Sequence, residues 1–425
     1  MATISAGCGG LQLPVTAPGA MPESSRDASA RTGVRIMTSS YRVVHTFSHT
    51  RDGGRPAGSL LDVNGMLYGT TQFGGAGSCY REAGTGCGTV YVLDPKSGRK
   101  KVLYSFRGGS SDGASPNGGL IDVNGTLYGT TTYGGGGCAY EGCGTVYSIS
   151  PTGTETMLHS FHGQSDGQWP FAPLLNVNGT LYGTTAYGGG SCSCGTVYSI
   201  STGGSEKILY NFARKDDGDG PWAGLIDVNG TLYGTTLDGG SFGQGTVYSI
   251  TTSGTEKVLY SFANSPDGAN PTAGLIDVKG TLYGTTTTGG ITGCQGVGQS
   301  GCGVVYSITT AGKEKVLYSF TPGQNAWYPS TGLVSMKGTM YGTTEAGGGG
   351  YGCGNEGCGI VYSITTMGYE AVLHVFSDSP DGASPDATMI DVQGTLYGAT
   401  AGGGGGKCVY YEHQVGCGTI FALTP

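Results

Sequence analysis

Short runs of apolar and β-branched residues, four to six long, recur along this chain, and Gly, Asn, Asp or Pro stands between them. The stretch from Leu120 to Ile149 holds three such runs, Leu120 to Val123, Thr126 to Thr131 and Gly144 to Ile149, and a fourth, Met157 to Phe161, follows a short turn. Their wealth of Val, Ile, Leu, Tyr and Thr between turn formers predicts strands. No stretch reads as a helix. Asn124-Gly125 supplies the two positive φ values that a two-residue type I′ hairpin requires, so the first two runs are antiparallel neighbours. Gly153 lies in the turn joining the last two, which predicts a second hairpin.

The four-run pattern returns seven times. Its Leu-Tyr-Gly tyrosine, Met-Tyr-Gly in the sixth copy, stands at Tyr68, Tyr128, Tyr182, Tyr233, Tyr283, Tyr341 and Tyr397, 50 to 60 residues apart. Such self-similarity marks a repeat architecture. Four strands that cannot bury both faces alone must stack on neighbours, and seven units predict an all-β, seven-bladed β-propeller of four-stranded antiparallel blades. The crossing from one blade's outer strand to the next blade's inner strand spans roughly 14 Å. Arg107 to Gly119 covers that distance easily; Ser150 to Glu155 is a hairpin turn. The blade therefore runs LIDV (inner), LYGTT, GTVY, VLYSF (outer). On this phase Val43 to Phe47 is an outer strand without a blade, and Gly418 to Leu423 a third strand without an outer partner. The N-terminal strand is expected to complete the last blade and remove its open edge.

The chain has 425 residues, 86 of them Gly and 12% charged, and Gly at this level without a collagen period commonly signals disorder. Tyr, Val, Ile and Leu at fixed phase argue against that here. The net charge of −8 removes the basic footprint expected of a nucleic-acid binder. No run of 18 apolar residues exists to cross a membrane as a helix.

Two domains are expected, a tether over 1–40 and the propeller over 41–425. Gly9 to Ser40 is rich in Pro, Ala, Ser and Gly and lacks periodicity. Ser5-Ala6-Gly7-Cys8 before it resembles the end of a bacterial lipobox, in which Cys8 would carry a lipid anchor. A Leu is usual where Ser5 stands, and Met1 to Ile4 is too short for an apolar signal region, as a start assigned too late would explain. The alternative is an unstructured N-terminus with a stray thiol.

The other twelve cysteines fall as Cys79/Cys87, Cys138/Cys143, Cys192/Cys194, Cys294/Cys302, Cys353/Cys358 and Cys408/Cys417, one pair between strands two and three of six repeats. The fourth repeat has the shortest loop there, Leu237 to Gln244, and no cysteine. Disulfides are expected, each stabilising by roughly 2 to 3 kcal/mol on the chain-entropy view, with Cys192/Cys194 the least comfortable pair. They imply an oxidising compartment. Zinc is the alternative, but the spacings vary and no His accompanies the pairs.

NGTLYGTT, a Gly-rich loop, GTVYSI and a Gly turn before VLYSF together resemble the GloVer tandem repeat of bacterial choice-of-anchor surface proteins, over Tyr41 to Pro425. The resemblance implies an exported, anchored, propeller-like protein and carries no catalytic residue. The strand order also resembles kelch blades, an analogy of fold only.

Candidate chemistry is sparse. His45, His159 and His374 replace a Tyr at one position of the outer strand and are spread around the rim, while His49, His162 and His413 stand in loops of different blades. Asp62, Asp122, Asp227, Asp277 and Asp391 precede the inner hairpin, either capping its turn or ringing the channel. Lys215 to Gly220 hints at a calcium loop but lacks the fuller ligand spacing. No metal or cofactor is expected. The crossing loops share Asp-Gly-x-x-Pro, and all three tryptophans, Trp169, Trp222 and Trp327, lie in or beside them with Phe171 and Tyr328. Those five aromatics are the candidate ligand-binding residues, on the face that carries every long loop and every cysteine pair; filling gaps between blades is the alternative.

The expected function is a non-catalytic, surface-anchored module that binds a glycan or a protein. A secreted propeller enzyme of the polysaccharide lyase or glycoside hydrolase type, or a purely structural surface protein, are the competing readings. Carboxylates converging at one channel mouth favour the enzyme, and exposed aromatics without them favour binding. A monomer is expected, with no nucleic acid partner and no membrane contact beyond the anchor.

Overall fold

A computed structural model describes residues 39–425 apart from 49–50, 82–83, 140, 295–300, 322–325, 351, 355–356, 411–412 and 415. Cys8, the expected tether up to residue 38, and His49 lie outside the described residues, while Ser40 already belongs to the first strand. Among the described residues every named element is a strand, and no helix is long and apolar enough to cross a membrane.

The strands form seven four-stranded antiparallel blades. The second blade runs from Ile121–Val123 through Thr126–Thr131 and Thr145–Ile149 to Glu155–Ser160, in the predicted order. Asn124 and Gly125 take φ of 55° and 82°, as the hairpin demands. Lys279, Lys337 and Gln393 adopt the same left-handed conformation in three other blades, where the flanking Gly and the ladder impose it on poorer turn formers. The inner strand of each blade touches that of the next, and the seventh touches the first, so the ring is closed. In the last blade Ser40–Thr46 pairs antiparallel with Thr419–Thr424, placing the first described strand of the chain beside its last.

What joins blade to blade is one aromatic unit repeated at every seam. The third-strand tyrosines Tyr91, Tyr147, Tyr198, Tyr248, Tyr306 and Tyr362, and Phe421 in the last blade, are fully buried. Each meets the Phe that ends the preceding outer strand edge to face: Phe106 on Tyr147 at 5.0 Å, Phe376 on Phe421 at 5.3 Å and, across the closure, Phe47 on Tyr91 at 5.4 Å. The phenol of Tyr147 lies over Gly129 in the middle of LYGTT, where an added Cβ would come 2.5 Å from Oη. Gly is required there by the neighbouring ring.

A polar seam runs outside the aromatic one. The crossing-loop Asp accepts hydrogen bonds from the outer strand of its own blade, as from Tyr104 Oη to Asp112 (2.9 Å) and Tyr260 Oη to Asp267 (2.9 Å). His159 and His374 stand 3.0 Å from Asp166 and Asp381 in the same way. These histidines are therefore rim hydrogen-bonding groups, spread over different blades. The next blade brings a carboxylate toward the same spot. Burial pushes Glu155, Glu256 and Glu314 up to about 7, and the charge of Asp112, Asp217 and Asp267 respectively adds to it. Tyr41 holds this position at one seam, stacked on His374 at 3.6 Å, and Lys100 at another, 2.7 Å from Asp52.

The seams make stability depend on pH. Glu256 has a folded pKa of about 7 against an ordinary 4.5, so folding favours its protonated form. That contribution is whole below the ordinary value and is lost as pH rises toward 7. Because the side chain is only half-buried, solvent screening limits the effect to about 1 kcal/mol or less. Glu256→Gln should melt with the parent at pH 4 and above it at pH 8, followed by circular dichroism; a difference that does not change with pH would refute this assignment.

Candidate functional site

Each crossing loop is held by the same two contacts. The residue before the crossing-loop Pro has φ between 51° and 68° in all seven blades: Arg55, Ser115, Trp169, Gly220, Asn270, Tyr328 and Ser384. A residue preceding Pro is normally pushed to extended conformations, and such backbone costs of order 1 to 3 kcal/mol where it occurs. Its N–H donates to the carbonyl of the second loop cysteine: Ser115 to Cys87 (2.8 Å), Trp169 to Cys143 (2.8 Å), Gly220 to Cys194 (2.9 Å), Tyr328 to Cys302 (3.2 Å), Ser384 to Cys358 (3.0 Å) and, across the closure, Arg55 to Cys417 (2.9 Å). Asn270 donates to Gln244 in the blade without cysteines. The following Pro packs on the Gly that opens the preceding third strand. Pro116 leaves 2.5 Å for a Cβ on Gly88, and Pro221 the same on Gly195.

All six cysteine pairs are bonded as expected, each within its own loop: Cys79–Cys87, Cys138–Cys143, Cys192–Cys194, Cys294–Cys302, Cys353–Cys358 and Cys408–Cys417, with Cα separations of 4.9 to 5.3 Å. Their depth adds to the expected placement between strands two and three. The second cysteine of each pair, Cys87, Cys143, Cys194, Cys302, Cys358 and Cys417, has no exposed surface and belongs to the apolar core. The cause is position: each directly precedes the Gly that opens a third strand, so its side chain enters the core where that strand begins, with Cys87 beside Phe106, Cys358 beside Phe376 and Cys417 beside Phe47. Each bond thus ties a loop to the core, with the buried sulfur as its fixed end. It also steadies the carbonyl on which the crossing loop hangs. Six such bonds indicate folding in an oxidising, extracytoplasmic compartment.

Around this scaffold three positions vary from blade to blade, the residue before the Pro, the one after it, and the one after the Thr pair of the second strand, and the one after the Pro faces the channel mouth most regularly. The third is tied to the first by a backbone hydrogen bond, as from Glu345 N to Tyr328 O (3.0 Å). An open cavity of about 690 Å³ lies inside the mouth, within the usual size of small-molecule sites. Asn117, Phe171, Trp222, Thr272, Ser330 and Asp386, the residues after the Pro in six blades, all line it.

Three charged residues line the cavity: Arg55, Glu345 and Asp386. Each is the sole charge in its own set of seven, and they come from adjacent blades, the first, sixth and seventh. Arg55 Nε stands 3.8 Å from Asp386 Oδ2, whose side chain is 20% exposed. Burial pushes Asp386 up to about 7; Arg55 opposes this and the charge of Glu345 adds to it. Asp386 Oδ1 is buried with no hydrogen-bond partner. On the third and fourth blades the wall is aromatic, with the rings of Phe171 and Trp222 5.0 Å apart and tilted by 32°. Trp222 Nε1 and Ser330 Oγ are likewise buried without partners.

The five aromatics expected to bind ligand divide here. Phe171, Trp222 and Tyr328, the last 39% exposed, line the cavity. Trp169 stands outside that lining, edge-on to Tyr133 at 5.6 Å and Tyr187 at 5.2 Å, which joins two blades. Trp327 packs on the core around Cys294, Cys302 and Phe320. Arg55, Glu345 and Asp386 escaped the sequence reading because each looks ordinary alone; reading each position around its sevenfold set isolates them.

The remaining candidates have structural partners. Asp62, Asp122, Asp227, Asp277 and Asp391 accept the N–H of the Gly three residues on, at 2.7 to 2.9 Å, and cap the hairpin. In the loop from Lys215 to Gly220, Asp217 accepts from Tyr210 while Asp219 accepts from Arg214, so the two carboxylates serve different partners. Among the described residues no group of three or more His, Cys, Asp or Glu is placed to hold a metal.

The sequence matches the Gloeobacter/Verrucomicrobia repeat over residues 32–193 and 77–297, together more than half of the chain, and the protein belongs to that family. No curated protein matches it. Among solved structures it is similar to a quinohemoprotein alcohol dehydrogenase from Comamonas testosteroni, with a TM-score of 0.51, 12% identity, and coverage of 90% of this chain and 76% of that one. An oligogalacturonate lyase from Vibrio parahaemolyticus covers 92% of this chain and 98% of its own, at 10% identity and a TM-score of 0.45. A gluconolactonase from Xanthomonas campestris covers 93% and 92%, at 12% and 0.42. At these identities the likeness concerns the fold alone.

The division of the tryptophans is measurable. Trp169→Ala and Trp327→Ala should each cost roughly 3 kcal/mol of stability through lost packing, whereas Trp222→Ala should cost less than about 1 kcal/mol. Equal losses in chemical denaturation would overturn the division.

Proposed function

We propose that this protein is an extracytoplasmic saccharide-binding module whose site is the channel mouth. The observation that carries the reading is the paired rings of Phe171 and Trp222 on the cavity wall. Flat apolar rings stack on sugar faces at little entropic cost, and the unpartnered Trp222 N–H and Ser330 hydroxyl offer hydrogen bonds to sugar hydroxyls. A stapled scaffold that varies at three positions per blade is how a rigid frame presents a binding surface. A glycan array probed with the full chain should return a saccharide ligand. Phe171→Ala and Trp222→Ala should each weaken it at least tenfold with melting unchanged, and full retention by both variants would place binding elsewhere.

One observation favours the enzyme instead: Glu345 and Asp386 meet at one mouth of the channel, and a carboxyl held near pH 7 suits acid-base chemistry. Release of shortened products from the bound glycan, abolished by Asp386→Asn, would establish a hydrolase or lyase.

The segment before Ser40 would tether the propeller to the membrane through a lipid on Cys8. Mass spectrometry of the N-terminal peptide from the membrane fraction should find Cys8 diacylated. An unmodified Cys8 in mature protein, with upstream sequence still attached, would exclude the anchor.

A further inference from the structure

We propose that the saccharide taken at the channel mouth is an amino sugar, its ammonium group held by Asp386 and Glu345 and its ring face by Trp222. The inference rests on the saccharide-binding reading above and adds the charge of the ligand. The charged groups that line the cavity among the described residues are one guanidinium and two carboxyls, so once Asp386 ionises, near pH 7, the lining carries an excess of one negative charge. Asp386 presents a buried oxygen without a partner, and burial, with the charge of Glu345 adding to it against Arg55, raises its proton affinity, so that a cation placed there is favoured. Two carboxylates are too few for a calcium site, which takes six to eight oxygen ligands, whereas an ammonium needs three acceptors that carboxylates and hydroxyls can supply. The sevenfold arrangement sets the first, sixth and seventh blades across the channel from the third and fourth. A ligand filling the mouth therefore meets acid on one side and the Phe171–Trp222 wall on the other, and Tyr328 beside Glu345 adds a ring that favours a cation.

The test is calorimetric titration of the full chain at pH 7, where Asp386 is about half ionised and a share of the sugar amines still carries its proton, with glucosamine tetramer, N-acetylglucosamine tetramer and galacturonate tetramer. The glucosamine oligomer should bind at least tenfold more tightly than the N-acetylated one, and added salt should narrow the gap. Glu345→Gln and Asp386→Asn should each remove most of that preference while leaving the weaker neutral binding in place; melting curves identify any variant that has lost its fold. Equal binding of the two glucosamine-based oligomers, with loss on Trp222→Ala, would overturn the amine assignment and keep the saccharide site. Preference for galacturonate, lost on Arg55→Gln, would reverse the sign of the ligand and refute the inference. Displacement of the glucosamine oligomer by millimolar calcium in the parent but not in Glu345→Gln would make this a metal site and refute it as well. No binding of any of the three would count against both readings.

Discussion

The fold depends on how little room is left between neighbouring blades. At each seam a third-strand ring lies over a glycine of its own blade and takes an edge from the phenylalanine of the blade before it. This contact fixes both the spacing and the tilt of consecutive sheets, because the ring can neither sink past a Cβ nor slide from its partner. Interiors this close-packed transmit such a constraint with little give. Seven repetitions bring the last blade back to the first, where Phe47 reaches Tyr91 as the final member of the series. The crossing-loop prolines apply the same logic at the upper edge, each seated on a glycine with no space for a side chain.

A frame so determined has freedom only where its positions face solvent or the channel. The strained residue before each Pro is tolerated because the stapled loop offers its carbonyl as a partner in six blades and Gln244 does so in the other. The cost of that backbone is met by the contacts that surround it, and the residues after the Pro, in six blades, line one opening. Their chemistry is uneven. The Phe171–Trp222 pair lies on one arc and the charges, with Tyr328 beside Glu345, on the opposite arc.

The architecture was legible in the sequence because its determinants are local and repeated. Asn124-Gly125 declares its turn, the phase follows from comparing Ser150–Glu155 with the crossing, and the orphan strands at the two ends fit each other. The pairing of the cysteines was equally plain, down to the short fourth loop that has none. Their depth was not, because spacing says which sulfurs can meet but not that Cys87, Cys358 and Cys417 sit at the mouth of a buried strand. The site was legible only in part. Trp222, Phe171 and Tyr328 stood out by rarity and do line the mouth, but Trp169 and Trp327 stood out equally and lie in packing contacts. Composition cannot distinguish a ring turned toward a neighbour from one turned toward the channel when the two positions are only two residues apart. Arg55, Glu345 and Asp386 are remote in sequence, and only the closure of the ring makes the first blade a neighbour of the sixth and seventh.

The shared last blade also sets an order of events. Synthesis delivers Ser40–Thr46 before the other strands of the ring and Thr419–Thr424 after them, yet these two must pair. Until Thr419–Thr424 emerges, Ser40–Thr46 has no ladder to join, and Phe47 has no fixed platform from which to reach Tyr91. The growing chain thus carries an open strand edge at its leading end for the whole time the other six blades assemble, a condition that invites pairing with other chains. The disulfides close loops within single blades and never link one blade to another. Oxidation can therefore proceed blade by blade as each arrives, without trapping the ring in a partly closed form.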